Sequence, residues 1–150
     1  MTPAAGQGIA MGRVVGLDVG TKTIGIAVSD PTRMLASPVR TLARRSVADD
    51  TRVLAAVLAE LGVDEVVVGM PYELDGSESR SARLARQIGD AVHAATGLPI
   101  RYVDERYTSV DATRQLIEAG MSRARRKQVV DQAAAVLILQ SYLDHPELGE

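Results

Sequence analysis

The sequence predicts an α/β protein built on a mixed five-stranded sheet, three antiparallel strands followed by two parallel ones, with helices on both faces. Three observations carry that expectation. Residues 13–43 hold short apolar, largely β-branched runs separated by turn residues. From residue 47 the apolar spacing changes from two to three and four, the period of a helix. EVVVG at 65–69 is then an unbroken apolar run between two helical stretches, as in a strand covered on both faces.

In order along the chain, RVVGLDV (13–19) and TIGIAVS (23–29) flank Gly20-Thr21-Lys22, which predicts an antiparallel hairpin. A third strand around 34–42 follows the Asp30-Pro31 turn. Val53, Leu54, Val57, Leu58 and Leu61 form one helical stripe within 47–61, with Asp49 and Asp50 near its positive end and Gly62 as its stop. MPYELDGSES reads as a loop, 79–96 as an Arg- and Ala-rich helix ending before Gly97, and 99–103 as a short strand. A helix over 109–119, the basic link SRARRK (122–127) and a last helix over 129–143 complete the order. No internal repeat or domain boundary interrupts it. Residues 1–12 read as a flexible leader without the charged start and apolar middle of a signal peptide, 13–143 as one domain, and 144–150 as an acidic tail.

With 46% hydrophobic residues the 150-residue chain can bury a core, which excludes general disorder. No apolar run approaches the roughly 20 residues that span a bilayer, and the absence of cysteine excludes disulfides and thiolate metal sites. A cytoplasmic protein is expected. The net charge of −2 conceals an asymmetry: three of the 19 acids lie in the last seven residues, leaving 17 bases against 16 acids elsewhere. Fifteen of those bases are Arg, suited to bidentate phosphate contacts.

Three acids strain a purely structural account. Asp18 lies mid-strand in GLDVGTKT, where it could also cap the turn. Glu105 and its neighbour Asp104 end the PIRYV strand, and spacing does not choose between them. Asp131 opens the last helix as read, with Ala134, Ala135 and Ile138 on the same face, so its carboxylate would point at the sheet; the helix dipole alone would also favour an acid there. Two like charges about 4 Å apart repel by roughly 4 kcal/mol at an effective dielectric near 20. Converging acids therefore take up protons or cations. Oxygen donors without His or Cys suit Mg²⁺ or Mn²⁺, and two such ions stabilise in-line displacement at phosphorus.

GLDVGTKTIGIAVSD, VVVGMPYELDGSES, VDERYTS and VDQAAAVLILQSYL together resemble the YqgF/RuvX family of RNase H-like nucleases, over about residues 12–143. The resemblance implies an RNase H-like fold and divalent-metal hydrolysis of phosphodiesters, with Asp18, Glu105 and Asp131 as the catalytic, metal-holding acids. It is the resemblance that selects Glu105 over Asp104. Family members are assigned to maturation of the 5′ end of pre-16S ribosomal RNA, and some are described as Holliday-junction resolvases. Related resolvases show four acids, against three found here. A non-catalytic module that keeps the fold is the third reading, disfavoured by the full set of acids.

The partner expected is nucleic acid, structured RNA or branched DNA, bound by a monomer or homodimer. Lys22 beyond Asp18, Arg106 beside Glu105 (which could instead pair with Asp104), and Arg123, Arg125, Arg126 and Lys127 of the basic link are the candidate phosphate contacts. Only four Tyr, and no Phe or Trp, supply stacking surface. Backbone shape is therefore the expected basis of recognition.

Overall fold

The structure is a computed structural model that describes residues 12–108 and 123–150, the side chains of 123–131 excepted. It comprises β1 (Arg13–Val19), β2 (Thr23–Ser29), β3 (Ala36–Ala43), α1 (Val47–Leu61), β4 (Val63–Met70), α2 (Arg80–Thr96), β5 (Ile100–Asp104), a 3₁₀ turn (Glu105–Tyr107), α3 (Arg123–Asp144) and a final 3₁₀ turn (Pro146–Leu148). The expected helix over 109–119 and all of the leader but Gly12 lie outside the described residues.

The sheet runs β3-β2-β1-β4-β5. β1–β2 and β2–β3 are antiparallel, whereas β1–β4 and β4–β5 are parallel. Helix ends follow local chemistry. Ser46 caps α1 by accepting from the Asp49 N–H, and Gly62 closes it at φ 64°, a conformation that costs a glycine little. Ser79 and Gly97 do the same for α2.

One correction concerns α3. It begins at Arg123, not Val129, so the basic run lies within the helix and is not a link. Asp131 is eight residues inside it, so a dipole-favoured acid at the helix start no longer explains that position.

Strand alternation divides the core in two. Val15, Leu17, Ile24, Ile26, Val66 and Val68 pack against Leu54 and Leu58 of α1 and Ala85 and Ile88 of α2. On the other face Val14, Ala27, Val67 and Val103 meet Ala134, Ala135, Ile138 and Leu139 of α3. Gly16 lets α3 lie against β1: a Cβ there would stand 2.7 Å from Leu139 Cβ and 3.1 Å from the Ala135 carbonyl oxygen. The helix runs from the carboxyl end of the parallel strands toward the opposite end, where Tyr142 reaches Glu65.

The sheet margins differ. β3 carries Pro38 and an irregularity that skips Val39. Beside β5, Gly149 bridges Val103 and Glu150 exchanges backbone hydrogen bonds with Tyr102. No described helix is long and apolar enough to cross a membrane.

Candidate active site

Asp18 continues the Val14–Gly16 alternation on β1, so its side chain lies on the face covered by α3. It is 8% exposed. Its register partner on β2 is Gly25. On the other side, one step past the Leu17–Val68 pair, stands Gly69 of β4. A buried carboxylate therefore has strand neighbours without side chains on both flanks. Beyond Gly25, its partner Thr41 has a buried hydroxyl with no hydrogen-bond partner.

The turn after β1 is fixed from outside the hairpin. The Arg44 N–H donates to the Lys22 carbonyl at 2.9 Å, and Arg44 Nη1 donates to the Gly20 carbonyl at 3.2 Å. Arg44 is itself held by buried Asp50 at 2.9 Å. The Lys22 side chain is exposed on this turn, at the same end of the sheet as Asp18.

Glu105 arrives from the end of β5. It follows Arg101 and Val103 in strand alternation and is 4% exposed. Its Oε2 lies 3.2 Å from where a Gly69 Cβ would be, beside Ile138 of α3. The 3₁₀ turn that aims it is capped at both ends: the Asp104 carboxylate accepts from the Arg106 N–H at 2.9 Å, and Thr108 donates through N and Oγ1 to the Glu105 carbonyl at 3.1 and 2.8 Å.

Asp104 points to the opposite face, as its register partner Met70 does. Its carboxylate takes Arg106 Nε at 3.0 Å on both oxygens and Nη2 at 2.6 Å. Burial alone pushes the Asp104 carboxyl up, but the hydrogen bonds and charge of Arg106 together outweigh it and hold the group below its ordinary value. Arg106 Nη1 also donates to the Leu74 carbonyl at 3.3 Å, tying the β4–α2 loop to the Glu105 turn. The guanidinium is thus engaged by protein groups as well as standing beside Glu105.

Asp18 and Glu105 therefore approach one glycine from two strands. Position 131 is on α3, one turn before Ala135 and two before Ile138 on the sheet-facing stripe; its side chain, and those of Arg123, Arg125, Arg126 and Lys127, lie outside the described residues. Among the described residues no three acids or histidines form a metal-sized cluster. The two placed acids offer only oxygen donors, and a Cβ at Gly69 would fill the space Glu105 uses, so the donor set and its cradle fit a hard divalent cation. Gly69 and Arg44 are the contributors the sequence did not single out. Strand alternation from Val103 separates Glu105 from Asp104 only once β5 is placed in the sheet.

A family model described as "RuvX: Holliday junction resolvase" matches residues 12–145. A Moorella thermoacetica protein named "Putative pre-16S rRNA nuclease" is 48% identical over 88% of this chain and 94% of its own length. A Myxococcus xanthus protein of the same name is 46% identical over 88% and 87%. Among solved structures, Thermus thermophilus RuvC in complex with a Holliday junction substrate is similar at TM-score 0.56 and 17% identity, over 92% of this chain and 98% of that one. Fowlpox virus resolvase with Holliday junction DNA gives 0.53 and 15%, over 88% and 97%. These likenesses are of fold, the RNase H-like fold that the resemblance implied.

Proposed function

The chain belongs to the RuvX family, and from that premise we propose that it is a divalent-metal-dependent nuclease that hydrolyses phosphodiester bonds at the 5′ end of pre-16S ribosomal RNA. The observation that carries this reading is that two buried acids flank Gly69: Asp18 stands beside it in strand register, and Glu105 Oε2 lies 3.2 Å from where its Cβ would be. Position 131 of α3 supplies the third acid. The relatives named for pre-16S ribosomal RNA, at 48% and 46% identity, favour that substrate, and a cytoplasmic site of action follows from it.

Asp18, Glu105 and Asp131 would hold Mg²⁺ or Mn²⁺, which supplies charge stabilisation at the attacking and leaving oxygens of phosphoryl transfer. The chain's own groups do the rest. The α3 contacts at Gly16 and Gly69 fix the helix bearing the third acid against the strands bearing the other two. The Arg44 clamp holds Lys22 at the rim, where its ammonium meets a backbone phosphate. Arg123, Arg125, Arg126 and Lys127 extend phosphate contact along the first turns of α3. The Thr41 hydroxyl, buried two strands from Asp18 across Gly25, is a polar atom for an ordered water. Residues 13–143 form the nuclease domain, with 1–12 as leader and 144–150 as acidic tail.

The family description favours a second reading, cleavage of four-way DNA junctions. That reaction needs two symmetric cuts and so a two-fold dimer, whereas trimming one RNA end does not. The test is a side-by-side assay of an RNA carrying the 5′ flank of 16S ribosomal RNA and a four-way DNA junction, in Mg²⁺, in Mn²⁺ and with chelator. Faster metal-dependent cleavage of the RNA is expected. Faster, symmetric cutting of the junction by a dimer would replace the first reading with the second, and undiminished cleavage in chelator would remove the metal from both.

A further inference from the structure

Beside Glu105 the surface carries an exposed aromatic ring that the acid site does not use. Tyr107 is 69% exposed and Leu74, in the facing loop, is 95% exposed. Scattered apolar residues are ordinary on a surface. These two differ because Arg106 joins them. Its guanidinium carbon lies 5.9 Å from the centre of the Tyr107 ring and 5.6 Å from that of Tyr72, while the Asp104 carboxylate and the Leu74 carbonyl hold it in place. A cation within about 6 Å of a ring centre is attracted to its face, and beside Arg106 the Tyr107 ring remains open to solvent.

Its position matters as much as its exposure. Two residues of backbone reach at most about 7 Å, so the Cα of Tyr107 lies within about one nucleotide spacing of that of Glu105, with its ring on the Arg106 side of the turn. A paired base keeps its faces stacked inside the duplex, whereas an unpaired base can leave the stack and cover an aromatic ring. Resting on the nuclease reading above, we propose that Tyr107 is a stacking platform for one unpaired nucleobase adjacent to the scissile bond, so that the preferred substrate is single-stranded at that nucleotide.

The test uses an RNA oligonucleotide with 2-aminopurine in a single-stranded overhang, and the same oligonucleotide fully paired. Binding is measured with Asp18→Asn protein so that cleavage does not intervene. With the overhang, Asp18→Asn and Asp18→Asn/Tyr107→Phe are expected to alter the fluorescence of the stacked base. Asp18→Asn/Tyr107→Ala should bind roughly five- to one-hundred-and-fortyfold more weakly, the range expected for losing one base–aromatic stack, and leave the fluorescence unaltered. The paired oligonucleotide should bind all three proteins alike. In the cleaving protein, Tyr107→Ala should raise KM with little change in kcat. Equal overhang binding by the Ala and Phe variants, or an equal loss with the paired oligonucleotide, would overturn the platform. Absence of cleavage by the wild-type chain, with the fluorescence difference intact, would sink the nuclease reading and leave the platform standing.

Discussion

The α3-covered face of the sheet buries acids at both ends, and the two ends surround them differently. At one end Glu65 of β4 is enclosed by the protein's own donors: Arg33 at 3.0 Å, Arg101 at 3.2 Å, and the Tyr142 hydroxyl at 3.2 and 3.1 Å to its two oxygens. Burial, then the charge and hydrogen bond of Glu65, push the Tyr142 hydroxyl up, so it stays a neutral donor. About 13 Å along the same strand, Asp18 and Glu105 meet at Gly69 with glycine where other strands carry side chains. Glu65 is a structural acid, finished by long side chains from three other segments. The far end has small residues instead, and they let Ile138 of α3 and the Glu105 carboxylate close over Gly69.

The comparison breaks most sharply under substitution. Asp18→Asn should lower metal-dependent cleavage by more than the roughly hundredfold typical of losing an outer-shell partner, with circular dichroism and urea unfolding unchanged; full activity in the folded variant would remove Asp18 from the site. Glu65→Ala should do the reverse. It should cost roughly 2–3 kcal/mol in urea unfolding, less than a fully buried pair would because Arg101 is half exposed, while cleavage per folded molecule is kept.

Gly69→Ala tests the space between the acids. The new methyl would lie 2.4 Å from Ile138 Cδ1 and 3.2 Å from Glu105 Oε2, so about 1–3 kcal/mol of stability should be lost through overpacking, together with activity. Adding Ile138→Val should restore stability more than cleavage. Equal recovery of both would mean that the glycine serves α3 packing alone.

A smaller effect concerns the first turns of α3. Replacing Arg123, Arg125 and Arg126 with Ala should weaken RNA binding and reduce the slope of log affinity against log salt by about 2, at roughly 0.7 per lost contact on a single strand; an unchanged slope would retire these contacts.

Asp104→Asn should give the smallest change and a pH signature. The folded-state carboxyl is held below its ordinary value, so its stabilisation is full above the unfolded value near about 4 and disappears as pH falls through the folded value. The variant should melt lower than the parent at neutral pH, and the gap should close as pH falls through the folded-state value. A constant difference across that range would contradict the ion pair.

Much of this arrangement was readable before the fold was known. The hairpin, the α1 bounds and Gly62 follow from local chemistry, and so does the burial of Ala134, Ala135 and Ile138. The start of α3 does not. Its expected boundary came from apolar periodicity, and Arg123–Gln128 has none, although Arg, Lys and Gln extend a helix readily. Asp104 and Glu105 could not be told apart by spacing, since only β5's placement decides which faces α3. Gly69 gave no signal because its contact with Ile138 spans distant segments. Glu65 looked like the first residue of an apolar strand for the same reason, its partners coming from positions 33, 101 and 142. The sequence leaves Arg106 open to a phosphate or to Asp104, and the fold makes the Asp104 pair.

The margins of the sheet carry one more consequence. Pro38 withholds a donor on one outer strand and the skipped residue there bends its ladder. On the other, Gly149 and Glu150 already take up Tyr102 and Val103. Neither rim offers a second molecule a clean template for strand addition. At high concentration both rims thereby resist growth into ribbons.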